Sequence, residues 1–162
     1  MKHKKVPMVE NLELDDLDRR MLNQLMRDAS VPFSDIAREL DVSPGTVHIR
    51  MKKLQDAGVV RSTHIEVDYS KIGFDISAFL GVHLVKGSEY EVVIEALRKI
   101  PEVTEAYFTT GPYSIFLRIV CRNTKHLYDL LNHKIQRIPG VERTETLICL
   151  EESIRRQVSL ED

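Results

Sequence analysis

The chain has 162 residues, 43% of them apolar and 30% charged, with 23 basic against 25 acidic side chains. That is the composition of an ordinary globular protein with one large or two small domains. The net charge of −2 excludes indiscriminate attraction to nucleic acid or anionic membrane, so affinity for a polyanion has to come from a local patch.

Residues 1–13 begin "MKHKKVPMVENLE", charged and without the apolar stretch of a signal peptide behind them, and read as a mobile tail. Helical spacing follows. Leu14, Leu17, Met21, Leu22 and Leu25 recur every three or four residues, with Asp15 at the N-cap and Asp18 in the first turn, where a negative charge suits the helix dipole. A shorter helix uses Ile36, Ala37 and Leu40, with Ser34 as its expected cap. A third runs from Pro44 to about Ala57: Ser43 caps it, Pro44 fills the first position, where no amide is needed, and Gly58 ends it. Residues 14–60 are thus expected to form a helical domain of helix-turn-helix, winged-helix-like type.

From Val59 the period becomes two. "VVRSTHIEV" reads as a strand and "DYSKIGFD" as a linker, so residues 61–76 are expected to join two domains. Beyond them come strand "SAFLGVHLV", helix "SEYEVVIEALRKI", strands "EVTEAYFTT" and "YSIFLRIVC", helix "NTKHLYDLLNHKIQRI" and strand "RTETLICL". That βαββαβ order predicts a ferredoxin-like domain over residues 77–162, and an α+β protein as a whole.

The strands are apolar on both faces. Ile115, Leu117, Ile119 and Cys121 oppose Phe116 and Val120, while Ala78, Leu80, Val82 and Leu84 oppose Phe79 and Val85. Two helices cover only one face of such a sheet, and no other element remains for the second. A partner copy is the simplest cover, which predicts a homodimer.

The helix pair around residues 34–57 has helix-turn-helix dimensions. Val42, Val47, Met51 and Leu54 are expected to pack inward. Gly45, His48, Ile49, Lys52 and Lys53 then face out, with Thr46 and Arg50 on the flanks. That set offers donors for base edges, polar groups for phosphates and an apolar side chain for a thymine methyl. Ser43 and Pro44 open the helix, whose start also offers free amides to a phosphate, and Gly45 allows close approach of a DNA backbone. A solvated basic face would look similar. The turn position often held by glycine is Asp41, which tolerates a left-handed backbone better than most residues.

"LDDLDRRMLNQLMRDASVPFSDIARELDVSPGTVHIRMKKLQDAGVV" followed by "TEAYFTTGPYSIFLRIVCR" resembles the Lrp/AsnC family of feast/famine transcription regulators across almost the whole chain. The runs "VSPGTVH", "TEAYFTTG" and "TETLI" are most similar to its asparagine-responsive branch. The resemblance implies a regulator of double-stranded DNA with an effector-binding and assembly domain, in dimers that associate into octamers.

The turn "TTGPYSIF" then gains a meaning. Gly111-Pro112 alone makes a hairpin turn, but two threonines, a tyrosine and a serine around it also suit an amino-acid zwitterion, which needs both donors and acceptors. By the resemblance this is the family's Gly-X-Tyr-Asp effector loop, here Thr110, Gly111, Tyr113 and Ser114, with Ser114 in place of the acid. Losing that carboxylate favours a neutral polar effector, asparagine first. Gln136, Thr144 and Thr146 are candidates to complete the site.

Other chemistry finds no footing. The histidines lack metal-ligand spacing, no glycine loop cradles phosphate and no nucleophile elbow occurs, so neither an enzyme, a metal nor a cofactor beyond the effector is expected. No apolar run approaches the roughly 18 residues of a membrane span, and Cys121 and Cys149 read as free thiols in a reducing cytoplasm. Two rivals stand beside the DNA-binding regulator. An RNA-binding sheet would need the Lys/Arg-Gly-Phe-Gly core that "YSIFLRIVC" lacks. An amino-acid sensor could instead act through protein contacts, its helical domain serving as an interaction module.

Overall fold

The computed structural model describes residues 12–160. The expected mobile tail lies outside the described residues up to residue 11, and Leu12 already packs against the helical core. The chain divides into two units: residues up to Glu66 together with those from Arg155 onward, and Val67–Ile154.

In the first unit α1 (Asp16–Arg27), α2 (Phe33–Glu39) and α3 (Pro44–Asp56) enclose Met21, Leu22, Ile36, Ala37, Leu40, Val47 and Leu54. Asp15 caps α1, its carboxylate accepting the Asp18 N–H at 2.8 Å. Helix α2 starts earlier than Ser34 suggests. Its N-cap is Pro32, whose carbonyl accepts from Asp35 N–H at 2.9 Å, and Phe33 packs against the core. That apolar contact draws the helix start toward the core, whereas Ser34 offers only a cap.

The turn into α3 closes as its sequence requires. Asp41 takes φ 54°, in the left-handed region, and Val42 N–H donates to Ala37 carbonyl at 2.9 Å. This is the paired geometry that satisfies the last carbonyls of a helix, and Val42 packs on the core beside it. Helix α3 ends in the same way, with Gly58 at φ 72° and Val59 N–H donating to Leu54 carbonyl at 2.9 Å.

The stretch "VVRSTHIEV" is not a strand. Val59 and Val60 spend their amides on the carbonyl of Leu54, and Ile65 is 85% exposed. A strand needs a ladder partner, and among the described residues none lies beside it. The residues from Arg155 fall with the helical unit instead of the sheet: Leu160 N–H donates to Asn23 Oδ1 at 2.9 Å, and Leu160 packs on the helical core.

The second unit is a four-stranded antiparallel sheet, β1 (Ile76–Leu84), β2 (Val103–Phe108), β3 (Ile115–Cys121) and β4 (Val141–Ile148), in the order β2-β3-β1-β4. Helix α4 (Tyr90–Leu97) and α5 (Thr124–Asp129), which continues as a π-helix through Leu130–Ile135, supply the two crossings of a ferredoxin-like fold. Ala78, Leu80 and Val82 pair with Ile119, Leu117 and Ile115, and all six are fully buried beneath the helices. Each large side chain there contributes roughly 1.5–3 kcal/mol by leaving water.

The other face stays open among the described residues. Phe79 and Phe116 stack there at 5.6 Å, and Leu147 pairs with Phe79 and is half exposed, whereas Val120, further along β3, is buried. The alternation read from the sequence holds within β1 and β3, while Val85 lies past the end of β1, after the register shift at His83 and Leu84. No helix of the described residues is long and apolar enough to cross a membrane.

Candidate nucleic-acid interface and effector loop

Helix α3 buries one side and presents the other. Val47, Met51 and Leu54 are buried, whereas Gly45, His48, Ile49, Lys52 and Lys53 are exposed, Ile49 to 73%. Ser43 Oγ accepts the Thr46 N–H at 3.1 Å and lies 2.9 Å from Thr46 Oγ1, so both hydroxyls are occupied with holding the helix start. Pro44 takes the first turn. His48 is set edge-on against Phe33 at 4.7 Å. Lys52 and Lys53 form no ion pair among the described residues. At Gly45 a Cβ would meet only Ser43 Oγ, at 3.7 Å, so the protein's own packing does not demand glycine there.

Arg50, expected on the DNA-facing flank, donates from one guanidinium nitrogen to Asp15 at 2.6 Å and to Asp18 at 2.8 Å. The side-chain bond to Asp15 leads in raising its already high pKa, and Asp15 is lowered in return, with Arg50 the chief cause. Lys52 and Lys53 thus stay exposed on α3 while Arg50 is partly held by α1.

The expected effector loop is the β2–β3 hairpin. Thr109 closes it, its N–H donating to Ser114 carbonyl at 3.2 Å and its Oγ1 to Tyr113 carbonyl at 2.8 Å. Gly111 takes φ 108°, in the left-handed region. Ser114 N–H donates to Val82 carbonyl at 3.0 Å, and Val82 pairs across the sheet with Thr144. Gln136 Nε2 donates to Thr144 Oγ1 at 3.0 Å, so these two candidates meet directly. Thr146 pairs with Leu80, one step along the same face.

Tyr113 departs from that group. Its ring lies over Gly81 on the open face, and its hydroxyl donates to Glu145 Oε2 at 3.1 Å. Glu145 also accepts from His83 Nε2 at 3.1 Å and Arg143 at 2.6 Å, and His83 leads in holding its carboxyl below the usual range. A carboxylate thus stands beside the loop after all, already neutralised. Sequence reasoning missed Glu145 because it sits between Thr144 and Thr146, and strand alternation turns it to the opposite face.

A cleft of about 640 Å³ opens at the other end of β3, between Tyr69, Phe74, Glu102, Arg122 and His126, and none of the effector candidates lines it. Among the described residues no cluster of His, Cys, Asp or Glu could hold a metal ion.

A helix-turn-helix unit with an outward basic helix, followed by a ferredoxin-like unit with one open sheet face, defines a DNA-binding regulator with a second, ligand-binding domain. Comparison agrees. Residues 14–61 match the winged helix-turn-helix DNA-binding family, and residues 77–159 match the Lrp/AsnC ligand binding domain. The chain is 39% identical over 150 residues to the regulatory protein AsnC of Escherichia coli (strain K12), covering 93% of this chain and 99% of that protein. It is 39% identical over 145 residues to the regulatory protein AsnC of Haemophilus influenzae, covering 90% and 97%. The solved structure of E. coli AsnC superposes with a TM-score of 0.85 at 38% identity, covering 91% of this chain and 99% of that one. A Neisseria meningitidis transcriptional regulator in complex with L-Met shares the fold, with a TM-score of 0.85 at 22% identity, covering 92% and 97%. The chain belongs to the Lrp/AsnC family. It is a DNA-binding transcription regulator with a ligand-binding domain, and its relatives are regulators, not enzymes.

Proposed function

We propose that this regulator reads double-stranded DNA by laying α3 in the major groove, and that a small neutral amino acid, asparagine first, modulates it from the C-terminal domain. Residues 14–60 serve as the reading domain, 61–76 as the connection and 77–162 as the effector-binding and assembly domain, in the cytoplasm. The observation that carries the reading is the outward face of α3, where Ile49 is 73% exposed and Lys52 and Lys53 have no ion pair among the described residues. His48 and Ile49 face base edges. Ser43, Pro44 and Thr46 form a helix start whose positive dipole end suits a phosphate, and Gly45 leaves room for the backbone.

The effector reading rests on Gln136, Thr144 and Thr146 at one edge of the sheet and on the hairpin residues Thr110, Gly111, Tyr113 and Ser114. The 39% identity to AsnC supports asparagine. The assembly is a homodimer through the open sheet face, and four dimers make an octamer. A ligand at a contact between dimers shifts the assembly only as far as it binds two arrangements differently, and DNA reach follows that equilibrium.

A mobility-shift titration tests the groove assignment. Lys53→Ala is expected to weaken all duplexes alike and to lower the salt slope by about 0.9. Unchanged affinity in Lys52→Ala/Lys53→Ala would remove α3 from the groove. Paired readers should address half-sites a whole number of helical turns apart, so inserting about five base pairs between them should abolish tight binding.

A further inference from the structure

Arg50 joins the middle of α3 to the first turn of α1. Its two acceptors, Asp15 and Asp18, lie 35 and 32 residues earlier in the chain. Asp18 is only 1% exposed, and Asp15 also caps α1 through the Asp18 N–H. One guanidinium therefore fixes both the start of α1 and a point on α3.

Met21 and Leu22 of α1 share one apolar core with Val47 and Leu54 of α3. Apolar contacts hold helices together but discriminate weakly between small rotations or slides. A charged hydrogen bond of fixed geometry does discriminate. Asp18 is buried while Arg50 stays 28% exposed, and replacing a buried ion pair by apolar side chains is often neutral for stability, so stability alone does not account for it. We propose that Arg50 is a positioning residue for DNA reading: it sets the rotation of α3 so that His48, Ile49 and Lys52 meet the base edges together, and it makes no phosphate contact itself. The role rests on α3 being the reading helix.

Salt dependence separates positioning from contact, because each lost phosphate contact lowers the slope of log K against log salt by about 0.9. The probes are a duplex selected by the unaltered full-length protein from a random pool, and an unrelated duplex of equal length. Arg50→Lys keeps Asp18 paired but loses the geometry of the guanidinium. Arg50→Met/Asp18→Leu replaces the pair with apolar side chains. Both are expected to lose about tenfold or more of the preference for the selected duplex. Their salt slope should stay unchanged, as should binding to the unrelated duplex.

A slope lowered by about 0.9 in these variants would make Arg50 a phosphate contact and overturn the proposal. So would full discrimination by the double variant, since the pair would then only hold the fold. Lys53→Ala serves as the separate control on the reading itself. Its slope should fall on both duplexes, and a Lys53→Ala protein with unchanged affinity and slope would overturn the groove assignment and the role of Arg50 with it.

Discussion

The ring of Tyr113 rests directly on Gly81: a Cβ at position 81 would stand 2.7 Å from Cγ of that ring and closer still to Cδ1 and Cε1. Glycine inside a strand ordinarily weakens it, by roughly 0.5–1 kcal/mol relative to alanine. Here the missing side chain is what lets the hairpin tyrosine lie down on the sheet and reach Glu145.

The first prediction follows from that contact. Gly81→Ala should destabilise the protein by about 1–3 kcal/mol, because the collision outweighs the gain in strand preference. In a Tyr113→Ala background the same change should be neutral or stabilising. Equilibrium unfolding in urea on the four proteins of the cycle measures the coupling. Equal costs in both backgrounds would mean that the ring does not rest there.

The second concerns the open face. Phe116 stacks on Phe79 at 5.6 Å and lies 6.0 Å from Tyr113, in the centre of the face proposed to receive a second copy. Phe116→Asp should put a carboxylate into an apolar contact, at a cost of several kcal/mol, roughly, if it finds no partner. Sedimentation velocity should show a smaller particle. An unchanged sedimentation coefficient would move the assembly to another surface.

What could be read from the sequence was what depends on neighbours in the chain. Ser43, Pro44 and Gly58 punctuate α3 because capping is local, and the two-residue alternation of β1 and β3 separates the buried face from the open one. Interactions between distant residues were not legible. The partners of Arg50, Asp15 and Asp18, come from α1, 35 and 32 residues earlier. Glu145 looked like a spacer between two threonines, and only the fold placed it under the Tyr113 hydroxyl. Residues 59–67 have strand composition, but composition does not supply a neighbouring strand.

The third prediction is a pH dependence. Glu102 is 9% exposed, and its Oε1 accepts from Lys134 Nζ at 2.7 Å and from His126 Nε2 at 3.0 Å. His126 Nδ1 accepts the Arg122 N–H at 3.2 Å, which leaves the ring proton on Nε2 to donate to the carboxylate. Burial pushes the Glu102 carboxyl up, but Lys134, its own backbone N–H and His126 together hold it at about 2. A depressed carboxyl stabilises the fold fully above the unfolded value near 4.5 and loses that contribution as pH falls toward 2. Glu102→Gln should therefore cost about 2–3 kcal/mol at neutral pH, with the gap to the unaltered protein narrowing between about pH 4.5 and 2. Urea unfolding across that range measures it, and a gap independent of pH would assign the loss to packing instead.

The last prediction is the effector. The hairpin offers the Gly111 amide and the hydroxyls of Thr110 and Ser114, and the sheet edge offers Gln136 and Thr144, already joined at 3.0 Å. The nearby carboxylate, Glu145, is held by Arg143 and His83 as well as Tyr113, so it gives a cationic effector little to gain. Calorimetry with the twenty amino acids should rank a small neutral one first, asparagine by expectation. Gly111→Val should weaken that binding, because a β-branched residue is strained at φ 108° and cannot keep the hairpin tip in place. Gln136→Ala should weaken it while leaving the hairpin as it is. A preference for lysine or arginine would show that Glu145 is free to pair and would sink the case built on Ser114. Asparagine binding that survives both Gly111→Val and Ser114→Ala would place the site away from this hairpin.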